Sequence, residues 1–189
     1  MKSERQRQQT EAKIETAVIQ LISNKGFRKM SVRDIVETAH ISRGTFYLHY
    51  LDKFDLLEKY EDRLIDGVER VFKTHAKREM PKTVLQAEDN AFYWLFNYLD
   101  AHRQLVKALL KTPESQLADK MKQATKAEIT KGVSDAPQAA PAADYNIPSA
   151  YACEMCSRQL LIGYEMSGQK QLLTFSRFLS RATNYQPLN

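Results

Sequence analysis

The chain has 189 residues, 43% of them hydrophobic and 27% charged, with a net charge of +5. That length can bury the core of one large or two small domains, and no run reaches the roughly 18 apolar residues that a membrane-spanning helix needs. Two cysteines are too few for a disulfide framework and the polar start MKSERQRQQT is not a signal peptide, so a cytoplasmic protein without structural disulfides is expected.

Period-2 alternation is nowhere sustained, which predicts helices throughout. Residues 1–8 read as a polar, basic arm with Lys2, Arg5 and Arg7. A first helix is expected to about residue 25, with Ile14, Ala17, Val18, Leu21 and Ile22 at helical spacing, and Gly26 as its left-handed cap. Phe27 and Met30, in the loop that follows, are expected to pack beneath the next helices. Ser31 can cap a second helix, with Asp34 completing a capping box. Val32, Ile35, Val36 and Ala39 give that helix one apolar stripe. After His40 and Ile41, Ser42 caps a third short helix that turns Phe46 and Tyr50 inward and leaves Arg43, Thr45, Tyr47 and His49 outward. Helix, tight turn, helix is a pattern whose second helix can enter the major groove of DNA. Residues 1–53 hold ten Lys/Arg against six Asp/Glu, and residues 54–189 hold eighteen against seventeen. The basic excess therefore lies on the segment that would meet phosphate.

Asp52, with Asp55 at the box position, is expected to cap a long fourth helix reaching about residue 76, with Leu57, Tyr60, Leu64, Val68 and Val71 on one face. Glu61 and Asp62 read as surface carboxylates. Pro81 should break the chain. The helix expected over 83–100 contains AFYWLFNYL, apolar nearly all round, and so reads as the buried centre of a second domain. Shorter helices are expected over 102–111 and 114–131, the latter with Leu117, Met121 and Thr125 inward. The Ala/Pro-rich stretch 132–148 reads as a long loop. Two final helices, the eighth and ninth, are expected over 148–166 and 169–184. Cys153 and Cys156 lack a second ligand pair and read as small buried hydrophobes rather than a zinc or redox site. No phosphate loop, nucleophile elbow, HExxH or EF-hand pattern is present, so neither an enzyme nor a bound metal or cofactor is expected.

Ser31, Ile35, Ala39, Ile41, Ser42, Gly44, Tyr47, His49, Lys53 and Leu56 stand in the register of a known pattern. The stretch resembles the N-terminal DNA-binding module of the TetR/AcrR family of bacterial transcriptional regulators. It departs at His40, where the family usually has glycine, and at Tyr50, where phenylalanine is commoner. The resemblance implies an all-α chain of about nine helices. A helix-turn-helix DNA-binding domain would occupy residues 1–53, linked by the helix over 53–76 to an effector-binding and dimerisation domain within 54–189. It also implies a homodimer through the eighth and ninth helices on a palindromic operator in double-stranded DNA, released by a small apolar effector. A second domain that binds a protein partner is the alternative.

Ser31, Arg33, Ser42, Tyr47, His49 and Lys53 are the expected contacts to phosphate or groove edge, Lys53 being the resembled family's phosphate-binding lysine. Arg43, Gly44 and Thr45 are the expected contacts to base edges: Arg pairs with guanine, Gly allows close approach and the Thr methyl suits thymine. Tyr93, Trp94, Phe96, Met121, Tyr151 and Met155 are the candidates to line an effector cavity.

Overall fold

The computed structural model of the chain describes residues 2–75 and 91–134. These form seven helices and no strand: α1 (Lys2–Lys25), α2 (Val32–Ala39), α3 (Arg43–Tyr47), α4 (Lys53–His75), α5 (Ala91–Ala101), α6 (Arg103–Leu110) and α7 (Leu117–Ser134). The all-helical class expected from the sequence is observed. The predicted eighth and ninth helices, the Cys153/Cys156 pair, Tyr151, Met155 and the break at Pro81 lie outside the described residues.

The basic arm expected over residues 1–8 is instead the first two turns of α1, which starts at Lys2. Lys, Arg, Gln and Glu are good helix formers, and Arg7 pairs with Glu11 one turn on at 3.1 Å. Gly26, at φ 77°, ends the helix and donates its N–H to the Ile22 carbonyl at 3.0 Å. The Ser31 capping box on α2 is present, with Asp34 N–H donating to Ser31 Oγ and Ser31 N–H donating to Asp34 Oδ2 at 2.8 Å. Lys25 adds an ion pair to the same carboxylate at 2.6 Å. His40 takes the left-handed conformation that closes α2, and Ile41 N–H reaches back to the Val36 carbonyl at 3.0 Å. At α4 the Asp52 carboxylate accepts from the backbone of Phe54 and Asp55, while Asp55 accepts from Leu51.

By compactness the chain forms two units. The first joins residues 1–63 to 104–117; the second takes the described residues of 64–103 and those from 118 onward. The core of the first unit includes Ile14, Val18, Met30, Ile35, Phe46, Leu56 and Tyr60, together with Leu105 and Leu109 of α6. Glu61, expected on the surface, belongs to this interior and is 3% exposed. Its Oε1 accepts from Ser115 Oγ at 2.7 Å and from Gln116 N–H at 2.8 Å. A buried carboxylate is tolerable only with such donors. Ser115 Oγ in turn accepts from Leu117 N–H at 3.2 Å, so α7 begins at Leu117, three residues later than expected.

In the second unit the buried stripe of α4 continues through Leu64 and Val68 to Phe72, rather than Val71, because the contacts recur every four residues. Gly67 is close to α5: a Cβ there would overlap the phenol of Tyr98. The His75 ring stacks on Trp94 at 4.5 Å. Helix α5 is not buried all round. Leu95, Phe96 and Leu99 face inward, whereas Trp94, Asn97 and Asp100 are exposed, so its aromatic composition overstated its burial. On α7, Leu117, Met121 and Thr125 are buried as expected, and the helix runs through Ser134, which makes residues 132–134 helical rather than loop.

Candidate nucleic-acid interface

Helix α3 is only five residues long and depends on its ends and one anchor. Ser42 Oγ accepts from the Thr45 N–H at 3.0 Å and shares a hydrogen bond with Thr45 Oγ1 at 2.8 Å. Phe46 is fully buried, with the rings of Tyr47 and Tyr50 each 5.5 Å away. This fixes the rotation of α3 and turns Arg43 and Gly44 to solvent with Thr45 half-buried beside them. Arg43 has no ion pair among the described residues. No acidic residue occurs from Ile41 to Leu51, so nothing on the helix repels phosphate. An exposed helix with a free guanidinium and a bare backbone step can offer hydrogen bonds to an anionic, edge-rich surface.

The other expected contacts are placed as follows. Tyr47 is 55% exposed. Arg33 is exposed on α2 and pairs with Glu37 at 2.7 Å. Ser31 and Ser42 are exposed, but both hydroxyls are engaged as helix caps. The Lys25 ammonium and then the Ser31 donors hold the Asp34 carboxyl well below the usual carboxylate range.

Two residues differ from expectation. The side chain of His49 does not face out: it is 11% exposed, with Nδ1 3.4 Å from Glu11 of α1. The reason is the phase of the chain after α3, which carries His49 with Tyr50 back against α1. The Lys53 ammonium is turned away from solvent as well. It donates to the carbonyls of Phe27 at 3.2 Å, Arg28 at 3.0 Å and Met30 at 2.9 Å, with the Phe27 ring centre 5.0 Å away. Those three acceptors use its three donors. Lys59 is the corresponding residue that sequence reasoning missed. Its ammonium joins the His49 carbonyl to the Asp55 carboxylate, each at 3.0 Å. Burial pushes the Tyr50 and Tyr60 phenols up, so both stay neutral behind this corner.

Of the cavity candidates, Phe96 and Met121 are buried, while Trp94 is 38% exposed and covered on one face by His75. The side chain of Tyr93 lies outside the described residues, with Tyr151 and Met155. Two open grooves of about 630 and 650 Å³ occur in the first unit, and neither has Trp94, Phe96 or Met121 in its lining.

Residues 14–60 match the family model of bacterial regulatory proteins, tetR family. The chain is 31% identical over 58 residues to the uncharacterized HTH-type transcriptional regulator YxbF of Bacillus subtilis (strain 168), a stretch covering 31% of this chain and 15% of that protein. It is 42% identical over 53 residues to the uncharacterized HTH-type transcriptional regulator YvdT of the same strain, covering 28% of this chain and 27% of that protein. The matched stretch is thus under a third of either relative. The crystal structure of a transcriptional regulator of the TetR/AcrR family from Aquifex aeolicus VF5 shares the fold, with a TM-score of 0.69 at 22% identity over 90% of this chain and 98% of that one.

Proposed function

We propose, for a chain whose residues 14–60 carry the DNA-binding module of the tetR family of regulators, a homodimeric repressor that a small molecule releases from its operator. The observation that carries this reading is the exposed face of α3, on which Arg43, Gly44 and Thr45 stand free of acidic neighbours. Arg43 would pair with guanine, and Thr45 would offer a methyl and a hydroxyl. A Cβ on Gly44 would meet only Ser42 Oγ, at 3.6 Å, so packing within the chain does not demand a glycine there. Its bare backbone instead lets α3 approach a groove closely. Ser31, Arg33, Ser42 and Tyr47 would meet phosphate or groove edge. With its donors occupied, Lys53 would position the module, and His49 would act from a corner where its side chain is mostly covered.

We divide the work at residue 53, with 1–53 reading DNA and 54–189 sensing and dimerising. One helix-turn-helix reads too few base pairs for a specific site, so a two-fold pair on a palindrome is required. The amphipathic stripes of the last two predicted helices would supply the dimer contact. Phe96 and Met121, with Tyr93, Trp94, Tyr151 and Met155, would contribute to an apolar effector site. An effector can release DNA only by as much as it prefers the spacing of the two heads that does not fit the operator. The protein would act in the cytoplasm and catalyse no reaction.

Selection of duplexes from a random library, followed by binding isotherms, tests the reading. A preferred palindrome should emerge, and Arg43→Ala should cost about 1–3 kcal/mol at one base position while leaving helicity intact. Equal affinity for all duplexes, or an Arg43→Ala variant indistinguishable from the parent, would sink it. A thermal-shift screen of metabolites tests the effector arm, since a ligand that binds the folded state raises the melting temperature.

A further inference from the structure

We propose that Leu48 is a base-reading residue that recognises thymine through its 5-methyl group. The inference rests on the reading of α3 as the helix that enters the major groove. Leu48 keeps helical backbone angles and donates its N–H to the Gly44 carbonyl at 3.1 Å, so it sits one turn beyond Gly44 on the same face. Helical side chains lean toward the N-terminus, so the isobutyl group extends from the Gly44–Thr45 side of the helix while leaving the Gly44 step uncovered. It is 86% exposed.

A single exposed leucine is ordinary. This one is not isolated. Of the five large apolar side chains exposed among the described residues, four fall between Tyr47 and Phe54, and Leu51 follows at 78% exposure. Phe54 meets the buried Phe27 ring in a T-shaped contact, centroids 5.6 Å apart, and so is partly covered. Leu48 has no such cover, and it stands on the side of the helix that carries Gly44 and Thr45. An aliphatic side chain cannot exchange hydrogen bonds with a base, and the one apolar group on the major-groove edge of any base pair is the thymine methyl. Leu48 therefore adds an apolar, charge-free element of specificity to a helix whose other contacts are polar.

The test takes the duplex that the parent protein selects from a random library and replaces its thymines by deoxyuridine one at a time. At one position or more the parent should lose affinity about fourfold, the worth of one buried methyl. Leu48→Ala should bind the original duplex about tenfold more weakly, and equally at every salt concentration because no counterion is involved. It should also ignore the methyl that the parent senses. Its melting temperature should be unchanged, since the side chain is solvent-exposed. A variant that still loses affinity when each methyl is removed would overturn the inference and give the methyl contact to Thr45. A variant that binds like the parent but loses self-association in sedimentation would overturn it too and make this a protein-facing surface. If the parent selects no duplex, the base-reading role of α3 fails and Leu48 falls with it.

Discussion

His40 is the one non-glycine residue at positive φ among the described residues, with φ 52° and ψ 50°. A side chain in that conformation costs about 1 kcal/mol or more, because its Cβ crowds the following carbonyl. His40→Gly should therefore raise stability by about 1 kcal/mol in urea unfolding. A variant no more stable than the parent would show that the imidazole supports the turn in its own right. Lys53 is the opposite case, a residue whose position was legible in the sequence and whose partners were not. Its ammonium serves three carbonyls in the turn between α1 and α2, 23 to 26 residues away. Lys53→Ala should cost on the order of 2 kcal/mol of stability. The dependence of DNA affinity on salt should keep its slope, whereas loss of about one unit would restore Lys53 to the phosphate contacts. His49 was misjudged for the same reason, since the carboxylate it faces belongs to α1, 38 residues earlier, and helical spacing describes only the near neighbourhood.

Among the elements, what the sequence showed best was whatever a few adjacent residues decide. The capping box at Ser31, the side-chain cap at Asp52, the left-handed Gly26 and the apolar stripes of α1 and α2 all involve partners within a turn or two. Misses came where burial depends on a distant element. Glu61 reads as a surface carboxylate until the backbone at 115–116 arrives beside it, and the aromatic run of α5 reads as fully buried although one side faces solvent. The α2 cap carries a pH signature. Asp34 is held low by the Lys25 ammonium first and by Ser31 second, so its contribution is present above the unfolded value of about 3.9 and is lost as pH falls toward the folded one. Asp34→Asn should melt at a lower temperature than the parent at pH 7, modestly because the pair is solvent-exposed, and the gap should close below about pH 4. A gap that persists undiminished into strong acid would show that the cap works without its charge.

For the whole molecule the proposed function requires two copies. The predicted ninth helix carries Leu172, Phe175 and Leu179 at i, i+3 and i+7, a stripe that a two-fold partner would cover with its own copy. Phe175→Glu would bring two like charges into such an interface, and the expected product is a helical monomer that binds half-sites weakly. Sedimentation with circular dichroism checks this; a variant that stays dimeric and helical would place the interface elsewhere. The first compact unit has a further property, which follows from its assembly out of two separate stretches, 1–63 and 104–117. As the protein is synthesised, residues 1–63 leave the ribosome before α6 exists and before Ser115 and Gln116 can donate to Glu61. At about 5–20 residues per second, the chain from 64 to 117 takes roughly three to ten seconds to follow. Through that interval the first unit lacks the buried Leu105 and Leu109 of α6, and the Glu61 carboxylate lacks its donors. On the proposed function, the DNA-binding unit would therefore reach its full stability only after residues 104–117 have been made.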